Sequence, residues 1–507
     1  MQDKNITVAV LDFGSNAIKL ALAEKKIRGE GENAVTLEDF IKVIYYDYEP
    51  SEGAILRGVI RNLSDTANKV QRLITRAEEA TGVSIRSLYV LVDGQGLQSK
   101  LYSANLEFSE PQEIKNSDLE ELLKLVTPEP NKFNFENPYA RFYVGGTYAE
   151  RPVGVKGLNL RGEFQFFQTE QYVIENIYDV LESKLDLEVI SFWVAPALLG
   201  EKFLTDEQMR IGSAIIDFGA ETTSIAIYKN GFLEGLRVLP IGSQQITNDL
   251  TYLQISPQEA ERLKISEGTV LLDLKENDPI QVFSADMHTK KEVTRYRVNQ
   301  YIEARMREIV DNVKRIIEQF VGAEKLNGGI IITGGGSLIK GLQTYLIEML
   351  GTSVEHASFF VSGDSRNIEF LSKYGTLSLY SMLIRGTVSC TEFTEIPIEE
   401  ESTEAVVTDI VPESDSSAGL PNPKQESLFV DDDFPDAPLD PESSEINGYQ
   451  KEDVFSSEDV KSSNTQPQEK RRKSSRTRKK KNGFWDTLKG LLPFDDFDEM
   501  DSDDETV

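Results

Sequence analysis

The chain has 507 residues, 39% of them hydrophobic, and is therefore long enough for several domains that each have their own core. Its formal net charge of −31 argues against nucleic acid as a partner. A single cysteine, Cys390, excludes an intramolecular disulfide and a cysteine-rich metal site, so we expect a reducing, cytosolic compartment. Two histidines leave little for zinc binding or histidine-based catalysis. The N-terminal segment MQDKNITVAV lacks the hydrophobic run of a signal peptide, so we expect none.

The first predicted elements are two strands that form an antiparallel pair. The segments NITVAVLDF and IKLALAEK lie on either side of a turn around Gly14. The segment SDTANKVQRLITRAEEATG has the apolar spacing of an amphipathic helix that ends at Gly82. The apolar segment SLYVLVDG then predicts another strand.

A later part of the chain repeats this strand pair. The segments SAIIDFG and TTSIAIYKNG predict two paired strands, and FLEGLRVLPIG predicts a third strand. The segment YIEARMREIVDNVKRIIEQF carries apolar residues at helical spacing and predicts a long helix. It leads into GGIIITGGGSLIKGL, an apolar strand that breaks into three glycines before a helix. This layout lets the backbone approach a ligand closely.

The turns of the two strand pairs share a pattern that suits phosphate binding. Each pair places an aspartate at the end of a buried strand, followed by a turn glycine and by hydroxyl or amide donors. Two such turns that face each other would clasp a polyphosphate, while their aspartates hold Mg²⁺ and its waters. The residues involved are Asp12, Gly14, Ser15, Asn16, Asp217, Gly219, Thr222 and Thr223. Two ordinary β-hairpins are the alternative, which the repetition and the triple-glycine turn disfavour.

This combination resembles the actin-like ATPase superfamily and, within it, the bacterial cell-division family FtsA. The two strand pairs are similar to the two phosphate motifs of the superfamily, and IIITGGGSLIKGL is similar to its adenosine motif. The segments LPIGSQQITNDL, AERLKISEG and LSKYGTLSLY resemble FtsA segments, and the resemblance covers about residues 5 to 385. It implies an α/β, actin-like ATPase fold of two related lobes with a nucleotide cleft and a small α+β domain inserted in the first lobe.

The resemblance also implies ATP and Mg²⁺ as ligands. Glu261 and Lys264 would reach the ribose and the adenine. Glu207 would position the attacking water, and the protein would be at most a slow ATPase. The further residues implied for nucleotide binding are Gly242, Gly334, Gly335 and Gly336.

Four positions depart from the pattern of the family. The second turn usually carries more glycine, and Ala220 and Glu221 stand there instead. An added carboxylate beside phosphates would repel them unless it points away or meets the metal. Ser224 replaces the usual aspartate after the two threonines, and Ala17 stands where the family often has a lysine, with Lys19 nearby. These departures bear on fast hydrolysis more than on nucleotide binding.

The expected domain organisation combines the resemblance with shifts in composition. The first lobe is expected to comprise 1–85 and 166–208, the inserted α+β subdomain 86–165, and the second lobe 209–390. An acidic linker is expected over 391–469, a basic run with an amphipathic helix over 470–494, and an acidic tail over 495–507.

The C-terminal part predicts disorder followed by a membrane-targeting helix. Residues 391–460 carry 21 Asp and Glu against 2 Lys, and such a segment buries too little apolar surface to fold. On a helix, one apolar stripe would contain Phe484, Trp485, Leu488, Leu491 and Leu492. A nucleic-acid patch is the alternative for the basic run 470–481, but the adjacent stripe favours an anionic membrane surface.

Membership of FtsA would imply a role in septum formation, in which the protein tethers FtsZ filaments to the cytoplasmic face of the inner or plasma membrane. The FtsZ tail would dock on residues 255–325, and the protein would self-associate into filaments and meet other division proteins. The arginines expected on the docking face are Arg295, Arg297, Arg305 and Arg307. The alternatives are another actin-like scaffold, such as a pilus-assembly ATPase, or a small-molecule kinase with Asp206 or Glu207 as its base.

Overall fold

The computed structural model describes residues 3–29, 35–36, 40–135, 139–273, 275, 277–286, 288–322, 326–359, 365–373 and 375–392. All of them belong to one of the two units into which the chain divides, and the second unit, Ile396–Lys479, lies outside them. The predicted acidic linker beyond Glu392, the basic run, the acidic tail and the whole apolar stripe from Phe484 to Leu492 also lie outside the described residues.

The strands of the described residues are β1 (Asp3–Phe13), β2 (Ala17–Arg28), β3 (Val35–Thr36), β4 (Lys42–Pro50), β5 (Ile55–Leu56), β6 (Val59–Ile60), β7 (Ser84–Ile85), β8 (Ser87–Val92), β9 (Gln98–Glu113), β10 (Lys132–Asn134), β11 (Tyr139–Val144), β12 (Thr147–Ala149), β13 (Lys156–Glu170), β14 (Glu188–Val194), β15 (Ser213–Phe218), β16 (Thr223–Lys229), β17 (Phe232–Leu239), β18 (Pro279–Phe283), β19 (Lys290–Thr294), β20 (Ile330–Thr333), β21 (Val354–His356) and β22 (Thr391–Glu392). The α-helices are α1 (Leu63–Thr81), α2 (Asn116–Lys124), α3 (Gln171–Tyr178), α4 (Ala195–Phe203), α5 (Asp206–Ile211), α6 (Ser243–Leu250), α7 (Pro257–Ser266), α8 (Arg295–Val321), α9 (Leu342–Leu350), α10 (Ser365–Leu371) and α11 (Leu377–Arg385). No helix among these residues is long and apolar enough to cross a membrane.

The first sheet contains the first predicted strand pair. Its strand order is β14-β8-β1-β2-β3, and β4 pairs with the other part of β2. β1 pairs antiparallel with β2 from Asp3 to Phe13, which confirms the predicted pairing, and it pairs parallel with β8. The apolar side chains of β1, β2 and β8 are almost fully buried in one core together with those of α1, α4 and α11.

The second sheet repeats this arrangement. β15 pairs antiparallel with β16 and parallel with β20, as β1 does with β2 and β8. β16 then pairs antiparallel with β17, and β20 pairs parallel with β21. The order β17-β16-β15-β20-β21 therefore matches β4-β2-β1-β8-β14 of the first sheet, which confirms the prediction of two related halves.

Helix α8 covers one face of the second sheet. Thr294 caps the N-terminus of this helix, because its hydroxyl accepts a hydrogen bond from the backbone amide of Arg297. Ile302, Met306 and Val310 are buried at helical spacing, as the sequence predicts, and each contributes about 1.5–3 kcal/mol through burial. Helix α1 likewise ends where the sequence predicts, at Gly82 in the left-handed conformation with φ 73°.

The segment between β8 and α3 forms an antiparallel extension of the second sheet with its own small core. β9 and β13 pair along most of their length, β11 and β12 continue the layer, and α2 packs on it. β9 also joins the second sheet through one pairing, Arg237 with Gln98. The inserted subdomain is predicted to begin at residue 86, whereas β8, which begins at Ser87, pairs with β1 in the first sheet. We therefore propose that the insertion begins after Val92.

Candidate functional site

A cavity of about 460 Å³ lies where the turn of each strand pair meets the glycine turn after β20. We call it the cleft. The predicted residues that line it are Asp12, Gly14, Ser15, Asn16, Asp217, Gly219, Thr222, Glu261, Lys264, Gly334, Gly335 and Gly336. The fold thus brings together segments that lie more than three hundred positions apart in the sequence.

Two predicted residues support the wall of the cleft without lining it. Thr223 is fully buried, and its hydroxyl donates to the carbonyl of Ile241 at 2.8 Å. Gly242 precedes α6, and a Cβ there would lie 2.6 Å from the carbonyl oxygen of Ala220. Only glycine therefore lets α6 approach the second turn this closely.

Glu207 does not reach the cleft. It lies in the first turn of α5, is exposed, and its carboxylate accepts from Arg210 at 2.7 and 2.9 Å. The Arg210 guanidinium lowers the pKa of Glu207 through this hydrogen bond. In this structure the carboxylate is held by Arg210 of its own helix and does not line the cavity, so the structure adds no support to the expected role in positioning a water.

The first turn presents free backbone donors to the cleft. A Cβ on Gly14 would lie 2.7 Å from the carbonyl oxygen of Ala17, so the turn requires glycine. The hydroxyl of Ser51 donates to the carbonyl of Gly14 at 2.7 Å and fixes the turn from behind. Within the described part of the chain, the amides of Gly14, Ser15 and Asn16 donate to no backbone or side-chain acceptor. Three adjacent free amides are suited to an anion.

The second turn is held by the start of α6. The amide of Gly219 donates to the carbonyl of Thr222 at 2.9 Å and closes the turn. The amides of Ser243 and Gln244 donate to the carbonyls of Gly219 and Ala220 at 3.0 and 2.6 Å. The turn and the helix N-terminus therefore form one unit on the second side of the cleft.

Carboxylates of both sheets face each other across the cleft. Asp12 accepts from the ammonium of Lys19 at 3.0 Å, and both side chains are largely buried. Burial favours the neutral amine of Lys19, but the Asp12 carboxylate outweighs it and raises the pKa of Lys19. Burial also raises the pKa of Asp217 to about 6, although Lys19 opposes this shift. Lys19 thus supplies a cation to the site although Ala17 does not.

Asp93 is a third acidic group in the cleft and is not among the residues predicted from the sequence. It follows β8 as Asp12 ends β1, so a strand that ends in Asp-Gly was the available signal. The hydroxyl of Ser224 lies 2.7 Å from each carboxylate oxygen of Asp93. Burial, followed by the charge of Asp217, raises the pKa of Asp93 to about 8. Among the described residues, no group of three or more Asp, Glu, His or Cys side chains is arranged to hold a bare metal ion.

Glu221 of the second turn reaches across to the first half of the fold. Its carboxylate accepts from the backbone amide of Arg57 at 2.6 Å, and it does not line the cleft. The added carboxylate is therefore held by a backbone amide of the first half, next to the lining residue Gly58.

The opposite end of the cleft holds the predicted nucleoside residues. Lys264 lies 2.7 Å from a carboxylate oxygen of Glu261 and donates to the hydroxyl of Thr247 at 2.9 Å. Thr247 in turn donates to Glu261, so that the three side chains form a closed polar group.

The glycine turn after β20 begins at Gly334 and continues into a short 3₁₀ helix, Gly335–Leu338, which precedes α9. Gly334 has φ 85°, and a Cβ there would lie 2.1 Å from a carboxylate oxygen of Asp217. A Cβ on Gly335 would meet no atom within 4 Å, because this residue faces the open cleft. The turn therefore offers backbone, without side chains, to whatever the cleft holds.

Three of the four arginines expected on the docking face are already paired. Arg295 lies 2.7 Å from Glu267, Arg305 binds both oxygens of Asp249 at 2.6 and 3.0 Å, and Arg307 pairs with Glu303. Arg297 is exposed at the start of α8. The positive charge that this face presents is therefore smaller than the four residues imply.

The fold of the chain is similar to that of a solved protein complex. The structure of a PilM-PilN type IV pilus biogenesis complex superposes with a TM-score of 0.50 at 15% sequence identity, covering 75% of this chain and 98% of that one. Two related halves, each with a turn that faces the cleft, define the fold as an α/β, actin-like ATPase fold, as the resemblance implies.

The sequence comparisons show which proteins the chain resembles. The family model "Cell division protein FtsA" matches residues 214–375. The Cell division protein FtsA of Porphyromonas gingivalis (strain ATCC BAA-308 / W83) is 27% identical over 428 residues, covering 83% of this chain and 86% of that protein. The Cell division protein FtsA of Bacillus subtilis (strain 168) is 25% identical and covers 69% of this chain and 78% of that protein. These matches confirm the resemblance to the FtsA family of cell division proteins.

Proposed function

We propose that this chain is an ATP-binding division protein that tethers FtsZ filaments to the cytoplasmic face of the membrane. The proposal rests on one observation: the first turn, the second turn and the Gly334–Gly336 turn all line the same cavity. The family model of FtsA matches the part of the chain that contains two of these three turns. The likeness to the pilus complex concerns the fold alone and gives no separate support to a pilus function.

The cleft residues fit Mg²⁺ and a polyphosphate. The free amides of Gly14, Ser15 and Asn16 would donate to phosphate oxygens, together with the hydroxyl of Thr222. Asp12 and Asp217 would hold the metal through its waters, because Mg²⁺ keeps several waters and takes few protein carboxylates. When bound, the metal would neutralise phosphate charge. Lys19 would balance the remaining carboxylate charge, as it already does for Asp12.

The nucleoside would lie at the other end of the cleft. Glu261 and Lys264 would offer an acceptor and a donor there, and Gly335 would offer open space beside its backbone. The closed group that these side chains form with Thr247 would have to exchange hydrogen bonds with the ligand.

Slow turnover fits the site better than fast catalysis does. Glu207 is exposed and held by Arg210, and Ala195, which has no titratable group, is the one residue of α4 that lines the cleft. A water facing the terminal phosphate would therefore meet no base from α4 or α5. An effective enzyme typically turns over at about 1–10³ per second, and a scaffold controlled by bound nucleotide does not require such a rate.

The tethering role rests on the family resemblance and on the C-terminal sequence. The FtsZ tail would dock on residues 255–325, where Arg297 and Arg307 are the exposed arginines of the four. The basic run 470–481 and the stripe that contains Trp485 and Leu488 would attach the chain to anionic lipid. Self-association into filaments and contacts with other division proteins belong to the same proposal.

Co-sedimentation of the full chain with anionic liposomes and FtsZ tests this function. With ATP and Mg²⁺, we expect FtsZ filaments to sediment with the liposomes only when the chain is present. FtsZ that lacks its C-terminal tail serves as the control and should remain in solution. Liposomes that recruit the chain but no FtsZ would contradict the tethering role, and rapid phosphorylation of a small-molecule acceptor would favour a kinase.

A further inference from the structure

A short turn beside the first sheet contacts both turns of the cleft. β5 and β6 form a small hairpin whose turn consists of Arg57 and Gly58. The amide of Gly58 donates to the hydroxyl of Ser15 at 2.8 Å. The neighbouring amide of Arg57 donates to the carboxylate of Glu221 at 2.6 Å. Two consecutive amides thus connect the first turn and the second turn, which belong to different sheets.

The Arg57–Gly58 turn cannot easily follow a movement of the second sheet. Arg57 and Gly58 both have positive φ, at 52° and 73°. A Cβ on Gly58 would lie 2.1 Å from the carbonyl oxygen of Asp93, and the amide of Gln95 donates to the carbonyl of Arg57 at 2.8 Å. The turn is therefore packed against the end of β8, so the amide of Arg57 is a fixed point of the first half.

We propose that Glu221 is a latch across the phosphate end of the cleft and slows the release of bound nucleotide. The first and second turns must separate for a clasped polyphosphate to leave, and this separation breaks the Glu221–Arg57 hydrogen bond. The inference rests on the proposed function, because it concerns nucleotide release. Glu221 acts by positioning the second turn and does not itself touch phosphate, since its carboxylate lies outside the cavity lining.

Two substitutions separate this latch from a mere effect of charge. Glu221→Ala removes the acceptor, whereas Glu221→Gln keeps an oxygen that can accept from the Arg57 amide but carries no charge. A hydrogen bond to a charged group accounts for roughly tenfold or more in an equilibrium, so we expect Glu221→Ala to speed nucleotide release about tenfold. Glu221→Gln should remain within about threefold of the wild-type rate. Glu79→Ala, at an exposed position of α1, is the matched control.

Two readouts test the latch on the full chain. Hydrogen–deuterium exchange of the nucleotide-free protein measures the amide of Arg57, and we expect faster exchange in Glu221→Ala only. Stopped-flow release of a fluorescent ATP analogue with Mg²⁺ measures the effect on the ligand, and thermal unfolding confirms that each variant is folded.

The outcomes distinguish the latch from the proposed function. Equal exchange at Arg57 in wild type and Glu221→Ala would overturn the latch, whatever the protein does with nucleotide. Slower release from both Glu221 variants would also overturn it, because the carboxylate would then act only by repelling phosphate. A wild-type protein that binds no ATP would contradict the proposed function and, with it, the effect on nucleotide release. Hydrogen–deuterium exchange at Arg57 would still show whether the Glu221–Arg57 hydrogen bond holds the second turn in place.

Discussion

The hydroxyl of Ser224 on β16 donates to the carboxylate of Asp93 at the end of β8, with 2.7 Å to each oxygen. This contact joins the two halves directly beneath the cleft. At Ser224, where the resemblance to FtsA implies an aspartate, the chain carries a hydroxyl, and a carboxylate approaches it from the other half. The acidic character of this part of the site is therefore supplied by β8.

The raised pKa of Asp93 predicts a loss of stability with rising pH. Its pKa is about 8 in the folded chain against an ordinary value near 3.8, so the folded state keeps a proton that the unfolded state has released. The free energy of unfolding of the nucleotide-free protein should therefore fall as the pH rises from about 4 to about 8. Asp217 contributes in the same direction only up to about pH 6. Urea unfolding at several pH values between 6 and 8 measures this dependence. The free energy of unfolding should decrease with pH in wild type and decrease less steeply in Asp93→Asn. Equal slopes would show that Asp93 is ionised throughout.

The turn after β20 should tolerate a side chain at one glycine and not at its neighbour. Gly334→Ala places a Cβ 2.1 Å from Asp217 in a backbone conformation that is almost restricted to glycine. We expect a loss of roughly 2 kcal/mol or more in the free energy of unfolding. Gly335→Ala is the control and should cost less than about 1 kcal/mol, because the added methyl meets no atom. Urea denaturation measures both variants, and equal losses would be inconsistent with this geometry.

Both strand pairs and the long helix were predictable because their signals are local. NITVAVLDF is a nearly continuous apolar run that is buried from Ile6 to Leu11, which predicts a strand from the local sequence alone. The apolar spacing from Ile302 to Val313 predicts a helix in the same way. Asp12 and Asp217 were found for the same reason, since each ends an apolar run before Gly.

The parts of the site that the sequence did not reveal depend on distant contacts. Glu221 accepts from a backbone amide 164 positions away, and an amide leaves no pattern in the sequence. The role expected for Glu207 came from the resemblance alone, whereas Arg210 three positions later was a visible competing partner.

Cys390 should resist thiol reagents in the native protein. It is 1% exposed, its amide donates to the carbonyl of Thr7 at 2.8 Å, and burial raises the pKa of its thiol to about 12. Because the thiolate is the reactive form, labelling should occur only when this segment detaches from β1. Reaction with an aromatic disulfide reagent should therefore be slow without urea and fast with it. Rapid stoichiometric labelling of the native protein would show that the segment is open, and the chain contains no second cysteine to confuse the result.

The C-terminal stripe should be required for membrane attachment. Deleting residues 483–507 should release the chain from anionic liposomes, and the double variant Trp485→Glu with Leu488→Glu should do the same. Raised salt should weaken attachment of the wild type, because it screens the basic run. Flotation assays measure each case, with neutral liposomes as the control. A truncated chain that still floats with anionic vesicles would place the tether elsewhere.

The central claim is that the cleft binds ATP with Mg²⁺ through the carboxylates at the ends of β1 and β15. Isothermal titration of the full chain with ATP in the presence of Mg²⁺ tests it most directly, when wild type is compared with Asp12→Ala and with the exposed control Glu79→Ala. We expect binding by wild type and by the control, and none by Asp12→Ala, because this change removes a metal-holding carboxylate and the partner of Lys19. An unchanged affinity in a folded Asp12→Ala protein would contradict the claim.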